Sequence, residues 1–426
     1  MPDRTKQPQI LDATELDITL KPCNKFTLDN GVPVYTIDAG EQEVIMVEWV
    51  FYAGNSYEDK NIIAATTNHL LKNGTTNKTA LQINEHFEYY GAFLNRACYH
   101  ETATLTLHCL SKHINKLLPV VAEIFTDSIF PEEELATYKR NQKQKLEVNL
   151  KKCEFIAGRI IDELVYGFDH PYGKYSSAEA FDALNRDELI NFHKHYYTTG
   201  KCILFVAGKL PADIQEQLNN VFGKLPLNAS PVSHPPFAPI PAPEKKHKLI
   251  SDPNGVQAAI RFARPFPNRH HPDFIKVQVL NNIFGGFFGS RLMSNIREDK
   301  GYTYGIHSYI PSHLQQTTWA VSTEAGRDVS EATIAEVYKE MKILRDELVE
   351  EDELHLVRNY MIGSILGDLD GPFQIIARWK NYVLNNLTED YFYKSIQTIK
   401  TIQAEELMLL AQKYLTEDAF YELTVI

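Results

Sequence analysis

The order of apolar and polar residues along the chain predicts a mixture of strands and helices. Apolar residues alternate with polar ones at 44–52 and 103–110, and they form a short continuous run at 203–208, so we interpret all three stretches as strands. The longer mixed stretches at 135–148 and 353–366 predict helices. Helices and strands do not alternate strictly, which favours an α+β fold over a doubly wound parallel sheet.

A proline-rich segment divides the chain near its middle. Seven of the 21 prolines fall within residues 226–243. Because proline fixes φ and lacks a backbone donor, we predict an extended linker here, although an ordinary surface loop is the plain alternative. The predicted units are therefore 1–225 and 244–426.

Short matches between the two units indicate an internal duplication. The triplet Asn-Gly-Val occurs at 30–32 and again at 254–256, and PEEEL at 131–135 corresponds to EEDEL at 350–354. Apolar residues upstream of the second match also correspond at its offset of 219 residues, as Leu118 does with Val337. Several matches in one order favour two duplicated halves.

Composition limits the class of protein. The 426 residues are 44% hydrophobic and 23% charged, which is typical of a folded chain with two or three cores. A net charge of −12 disfavours nucleic acid and anionic membrane surfaces as partners. Five cysteines without a C-x-x-C pair indicate neither a disulfide framework nor a thiolate metal site.

Targeting signals are not evident in the sequence. The first ten residues, MPDRTKQPQI, lack the apolar stretch of a secretory signal, and eighteen apolar residues do not occur in succession anywhere. We therefore expect a soluble, cytoplasmic protein without a membrane partner.

Four stretches carry a resemblance to a known family. They are INEHFEYYGAFLN, ATLTLHCL, the helix after FPEEE and, most specifically, SRLMSNIREDKGYTYG. Together they make the chain similar to the pitrilysin, insulinase and mitochondrial-processing-peptidase family over nearly its whole length. The resemblance implies two duplicated halves, each a mostly antiparallel sheet packed by helices.

Peptidases of this family carry H-x-x-E-H on a helix, where two histidines and a distant glutamate bind zinc and the inner glutamate is the general base. In this sequence the helix predicted to end before Asn73-Gly74 has Ala65 at the first histidine position and Asn68 at the base position, and it keeps only His69. An ungapped count puts Lys145 at the third ligand position. We therefore expect no zinc in this chain and no hydrolytic site of its own.

Arg297 and Tyr304 are candidate functional residues of the second half. We predict that Ser290 caps a helix over 291–300, which ends at Gly301 before a strand over 302–309. Arginine near a helix end and tyrosine in a strand also have ordinary structural explanations. The resemblance implies more, because in active members this pair binds the substrate backbone and stabilises the oxyanion.

The stretch from Gly91 to Asn95 is the candidate peptide-binding segment of the first half. By resemblance it leads into an edge strand that pairs with extended substrate, whereas a plain sheet strand is equally compatible with the sequence. Other histidines (His100 beside Glu101, His108, His113, His270 and His271) form no pair with metal-ligand spacing on a helix, so we interpret them as surface or core residues.

Two hypotheses follow. In the first, the chain is the non-catalytic subunit of a two-chain zinc metallopeptidase, whose homologous partner holds the zinc while Arg297 and Tyr304 act in trans on a peptide substrate. In the second, the chain is purely structural or peptide-binding, like the core proteins of a respiratory complex, and the pair is a relic. A stand-alone enzyme with an unrecognised site would require zinc in the single chain.

Overall fold

A computed structural model describes residues 11–227, 237–311 and 313–426. The first ten residues, on which the expectation of no leader rests, lie outside the described residues, as does the 228–236 part of the proline-rich segment. Its described part at 237–243 forms neither helix nor strand, and the backbone N–H groups of Ile240 and Ala242 donate to the carbonyls of Tyr166 and Leu164 at 2.9 and 2.8 Å.

The first half contains a sheet of six strands in the order β1-β2-β6-β3-β5-β4. Only the β2–β6 pair is parallel, and β4 lies at an edge, paired with β5. The central strand β6 is buried at every residue. The strands are β1 (Asn24–Thr27), β2 (Pro33–Asp38), β3 (Val44–Phe51), β4 (Phe93–Cys98), β5 (Ala103–Leu110) and β6 (Cys202–Gly208).

The second half contains a sheet of five strands in the order β7-β11-β8-β10-β9. Here the β7–β11 pair is parallel, and β9 lies at an edge, paired with β10. The strands are β7 (Lys246–Leu249), β8 (Gln257–Phe266), β9 (Thr303–Tyr309), β10 (Thr317–Gly326) and β11 (Tyr421–Val425).

Helices cover both sheets. Those of the first half are α1 (Ile63–Leu70), α2 (Ala80–Tyr89), α3 (Ile114–Asp127), α4 (Glu132–Asn149), α5 (Cys153–Tyr166), α6 (Ala178–Ala183), α7 (Arg186–His193) and α8 (Ile214–Phe222). Those of the second half are α9 (Phe274–Asn281), α10 (Ser330–Asp346), α11 (Glu351–Gly367), α12 (Pro372–Leu384), α13 (Asp390–Thr401) and α14 (Ala404–Tyr414). Among the described helices, none is long and apolar enough to cross a membrane.

The α+β fold class and the duplication are confirmed. The strand orders of the two sheets superimpose when β2, β6, β3, β5 and β4 are matched with β7, β11, β8, β10 and β9, and each sheet has one parallel pair at the corresponding place. The matched PEEEL and EEDEL sequences both lead into corresponding helices, α4 and α11.

The Asn-Gly-Val match is wrong as evidence for the duplication. Residues 30–32 precede β2, whereas residues 254–256 precede β8, whose counterpart is β3. The two triplets therefore occupy different places in the fold. Turns before strands commonly use Asn-Gly, because both residues tolerate unusual backbone angles, and this explains the coincidence.

The predicted strands and long helices are also confirmed, as β3, β5, β6, α4 and α11. Helix α1, which carries the motif positions, ends at Leu70, slightly earlier than the end predicted just before Asn73-Gly74. Gly74 has φ +142°, and a Cβ there would lie 3.1 Å from the Pro131 side chain. Glycine at this turn therefore lets the backbone approach the start of α4 closely.

The two halves exchange one helix each across their interface. Helix α12 of the second half packs on β2 and β6 of the first sheet, and α5 of the first half packs on β8 and β11 of the second sheet. The core around α5 joins Ala157, Ile161 and Val165 with Ala259 and Leu423. Each sheet is therefore covered on one face by a helix from the other half.

A buried ion pair crosses this interface. The Lys380 ammonium on α12 donates to both carboxylate oxygens of Glu48 on β3, at 2.8 and 2.9 Å. Glu48 is only 7% exposed. Because the carboxylate is desolvated, it needs partners within the protein. These are the Lys380 ammonium and the Thr106 hydroxyl, which donates a longer hydrogen bond of 3.4 Å.

We expect Lys380→Ala to lower the free energy of unfolding by about 2 kcal/mol, since it leaves a buried carboxylate without its cation. Urea unfolding followed by circular dichroism measures the change. The matched control is Lys339→Ala, whose exposed ion pair with Glu336 is worth at most about 0.5 kcal/mol. Equal effects of the two substitutions would contradict the importance of the pair.

Candidate functional site

Helix α1, which carries the degenerate motif, is held in place at its N-terminus. The Glu58 carboxylate accepts hydrogen bonds from the backbone N–H groups of Ile62 and Ala64, at 3.1 and 3.0 Å. Ile62 has φ +70°, a conformation that a β-branched residue rarely adopts. Burial raises the pKa of Glu58 to about 7, even though these N–H groups favour its charged form.

Asn68, at the position of the general base, is part of the core. It is only 3% exposed, and its amide donates to the Thr104 carbonyl at 3.3 Å and to the Tyr197 hydroxyl at 3.2 Å. These bonds connect α1 to β5 and to the chain segment before β6. Since an amide cannot accept a proton from water at neutral pH, the position has a structural role here.

Ala65 and His69 lie on the exposed side of the same helix. Ala65 lines a cleft of about 590 Å³ between the two halves, together with the β4–β5 turn and residues of α12. The His69 ring packs against Tyr138 of α4, with ring centroids 4.7 Å apart. The cleft therefore reaches the first position of the motif, where a methyl group replaces an imidazole.

The surroundings of His69 are cationic. Arg96 of β4 donates to the His69 carbonyl, and partial burial together with the charges of Arg96, Lys72 and Lys145 lowers the pKa of His69. The charges of Arg96, Lys72 and Lys145 repel a divalent ion, and the single imidazole lacks the other ligands of a zinc site. The residues present at this position do not fit zinc. Within the described ranges, no group of three or more His, Cys, Asp and Glu side chains could hold a metal ion.

Arg297 and Tyr304 lie together at the edge of the second sheet. The Arg297 guanidinium donates from Nε to the Tyr304 carbonyl at 3.0 Å and stacks over Phe288, 4.8 Å from the ring centroid. The Tyr304 side chain is 97% exposed on edge strand β9. Neither residue is part of the wall of the cleft beside Ala65.

The predicted helix and strand in this segment are confirmed to within one residue, but the predicted cap at Ser290 is wrong. Met293–Asp299 is a π-helix, closed by bonds such as Lys300 N–H to the Asn295 carbonyl at 3.0 Å. The Ser290 hydroxyl is buried and has no partner among the described atoms, so it does not cap the helix. π-Helical turns are frequent at functional sites, and this one positions Arg297 next to β9.

Gly91 and Asn95 flank the start of the first sheet's edge strand. Gly91 has φ +61° in the turn before β4, and Asn95 is exposed on β4. In the described chain β4 pairs only with β5, so its outer backbone groups remain available for another strand. By the duplication, β4 corresponds to β9, and thus Asn95 and Tyr304 lie on equivalent edges.

Sequence reasoning missed a cluster of histidines between the halves. The His313 ring stacks on Tyr172 at 4.6 Å and meets His100 edge-on at 4.8 Å, and Tyr172 donates to the Glu101 carboxylate. Burial lowers the pKa of both His100 and His313 to about 4. The sequence does not reveal these contacts of His100, because its partners Tyr172 and His313 come from distant loops.

Comparisons with known proteins agree with this architecture. The model of the insulinase family of peptidases, M16, matches residues 34–163, and the model described as the peptidase M16 inactive domain matches residues 183–361. The chain therefore belongs to peptidase family M16. It is a member without the zinc motif at Ala65–His69.

Relatives of this chain have names of different kinds. The uncharacterised zinc protease YmxG of Bacillus subtilis is 24% identical, over 92% of this chain and 96% of its own length. The non-peptidase homologue YmxG of Helicobacter pylori is 23% identical, over 75% and 74%. The probable mitochondrial-processing peptidase subunit beta of Arabidopsis thaliana is 26% identical, over 51% and 40%.

A solved structure shows the same fold. The peptidase M16 inactive domain from Pseudomonas fluorescens has a TM-score of 0.85 at 23% identity, covering 95% of this chain and 98% of that one.

We expect Lys145→Glu to raise the pKa of His69, because an anion replaces one of the cations that disfavour the imidazolium. An NMR titration of the histidine ring resonances measures the shift. Lys339→Glu, on α10 of the other half, is the control and leaves the titration unchanged. A His69 pKa that stays where it was in Lys145→Glu would show that Lys145 does not contribute to the cationic surroundings.

Proposed function

We propose that this chain is the non-catalytic subunit of a cytoplasmic, two-chain zinc metallopeptidase. Its homologous partner carries H-x-x-E-H and the zinc, and this chain supplies Arg297 and Tyr304 to substrate binding and oxyanion stabilisation. One observation supports the proposal above others: the motif positions lack the ligands of a zinc site, while Arg297 of the π-helix remains bonded to Tyr304 on the exposed edge strand β9.

The loss of zinc follows from the chemistry of the side chains. Ala65 has no ligand atom, Lys145 is a cation, and Asn68 is bonded into the core. A catalytic zinc needs about three protein ligands and an open position for water. We infer that the isolated chain holds no zinc and hydrolyses no peptide.

The position of the pair supports action in trans. Tyr304 is almost fully exposed, and neither it nor Arg297 faces the cleft that holds Ala65. Within one chain the pair has no reacting group to act on. A second subunit seated at this edge would bring its zinc-bound substrate to the phenol and the guanidinium, which are suitable donors to a developing oxyanion.

The substrate in this proposal is an unfolded peptide or short oligopeptide. The free edge of β4, with Asn95 exposed, can add an extended peptide as a further strand, and backbone pairing of this kind tolerates many sequences. The net charge of −12 favours cationic peptides, and it gives no support for nucleic acid as a partner.

A specific observation favours a second candidate function, that of a structural or peptide-binding homologue. The contacts of Arg297 with the Tyr304 carbonyl and with Phe288 are local and give the arginine a structural role without any substrate. The name of the Helicobacter pylori relative, a non-peptidase homologue, agrees with this alternative. A neighbouring gene for a homologue that has H-x-x-E-H but lacks the arginine–tyrosine pair would favour the first function.

We expect the purified single chain to contain less than one zinc per ten molecules, because its donor set does not fit the ion. Inductively coupled plasma mass spectrometry after dialysis against zinc measures the content. The zinc-bearing homologue, treated in the same way, is the positive control. One zinc per chain, lost on His69→Ala, would overturn the proposed loss of the site.

We expect Arg297→Ala or Tyr304→Phe to lower kcat for peptide cleavage by the reconstituted pair about 10²- to 10³-fold, which is typical for loss of an oxyanion donor. Tyr393→Phe and Arg140→Ala remove the same chemical groups elsewhere on the surface and serve as controls. Full activity of both test variants, with unchanged complex formation by gel filtration, would leave the second candidate function in place.

A further inference from the structure

Helices α4, α5 and α6 enclose an open groove on the first half. Its volume is about 1110 Å³. Apolar side chains line much of it, among them Leu146 and Leu150 on the side of α4 and Ile156 and Ile160 on α5. Leu150 is 45% exposed. Apolar surface around an open groove is typical of a site that binds another chain.

The second half has an equivalent groove between α11, α12 and α13. The duplication matches α4 with α11, and the next helix in each half, α5 or α12, is the one exchanged between the halves. Helix α6 contacts α4 as α13 contacts α11. At the offset of 219 residues, Ala136 and Ile160 of the first groove correspond to His355 and Trp379. The two grooves therefore lie at equivalent places in the duplicated halves.

The chain itself occupies the groove of the second half with its residues 11–21. All three helices bond to the backbone of this segment: Asn359 of α11 to the Ala13 N–H at 2.7 Å, Lys400 of α13 to the Leu16 carbonyl at 2.7 Å, and Trp379 of α12 to the Lys21 carbonyl at 2.9 Å. The groove of the duplicated unit is therefore able to hold a chain segment along its whole length.

This segment packs with every second side chain. Ile18 and Leu20 are buried and Leu16 packs against the same core, whereas Glu15 and Asp17 between them are exposed. A period of two is that of an extended chain. The groove of the second half thus holds an extended segment whose apolar side chains face the helices and whose acidic side chains face outward.

The groove of the first half has no such segment within the described ranges. Its counterpart by the duplication is the chain before β7, and none of residues 237–245 lines the groove. Instead, the N–H groups of Ile240 and Ala242 donate to the carbonyls of Tyr166 and Leu164 at the end of α5. The described chain therefore leaves the apolar wall of the first groove without the cover that its equivalent has.

Cations border this open groove. The Lys139 ammonium donates to the Leu184 carbonyl at 2.6 Å, and Lys143 pairs with Asp182 at 2.7 Å. The Asp182 side chain is 64% exposed, and such exposed pairs contribute little, so Lys143 can exchange this partner for another carboxylate. Cations also slightly outnumber carboxylates among the lining residues. In a chain with a net charge of −12, such a groove suits a segment with acidic residues.

We propose that the groove between α4, α5 and α6 is the docking site for an extended segment of another protein chain, in which apolar residues alternate with acidic ones. The segment takes the place that residues 11–21 take in the second half. The site uses neither zinc nor the pair of Arg297 and Tyr304, so it goes beyond the function proposed above and is tested without the zinc-bearing partner.

A fluorescent synthetic peptide with the sequence of residues 11–21, LDATELDITLK, is the probe. Its fluorescence anisotropy during titration with the full-length chain measures binding, and we expect saturation. The same peptide with Leu16→Ser, Ile18→Ser and Leu20→Ser should bind at least tenfold more weakly, because it has no apolar side chains for the groove. Equal affinity of the two peptides, or binding of neither, would overturn the proposal.

Two variants of the groove locate the binding. Leu150→Glu places a carboxylate on the apolar wall, and Ala136→Trp fills the space beside α4; each should weaken binding of the probe at least tenfold. The matched control is Leu409→Glu on α14, because Leu409 is also exposed, at 62%, and lies outside the groove. Circular dichroism confirms that each variant is folded. An affinity that both groove variants leave unchanged contradicts the proposed site.

Methyl NMR of the full-length chain distinguishes the two grooves. We expect the probe to shift the methyl resonances of Ile156 and Ile160 and to leave that of Ile365 on α11 unchanged. Shifts at Ile365 alone would mean exchange with the chain's own segment, and the proposal fails. It also fails if gel filtration without the probe shows a dimer that dissociates in Leu150→Glu, because the groove then belongs to a contact between two copies.

Discussion

The structure depends on the need to cover both faces of two sheets. The central strand β6 is buried at every residue, so the first sheet cannot leave one face in water. Its own helices cover one face, and α12 of the other half covers the second; α5 does the same for the second sheet. The halves are therefore joined by hydrophobic burial in both directions, and the proline-rich segment is not required to hold them together.

This exchange also forms two spaces between the halves. Helix α12 forms one wall of the cleft beside Ala65, and α5 forms one wall of a smaller space, of about 180 Å³, against the second sheet. The ion pair between Glu48 and Lys380 lies at the same junction. Changes in how the two halves pack would alter both spaces at once, which couples any ligand there to the stability of the interface.

The degenerate site shows which positions of a catalytic helix are needed for the fold. Asn68 is bonded to β5 and to Tyr197, and Glu58 holds the helix start, so these contacts keep α1 in place without a metal. Ala65 and His69 face outward, and the His69 ring packs against Tyr138. The helix is therefore positioned by its buried side, and neither buried Asn68 nor exposed Ala65 offers a group for metal catalysis.

The sequence by itself determined the elements and the chemistry of single residues. Strand and helix patterns are local, and the absence of ligand atoms at Ala65 needs no coordinates. Tertiary structure alone decided which distant residues meet, as His100 and His313 do. It also showed that the two Asn-Gly-Val triplets lie at different places in the fold. The π-helical form of the segment before β9 was not predicted either. The physical reason is that the pattern of side chains along a strand or helix predicts which of its faces is buried. It does not predict which element of the other half covers that face.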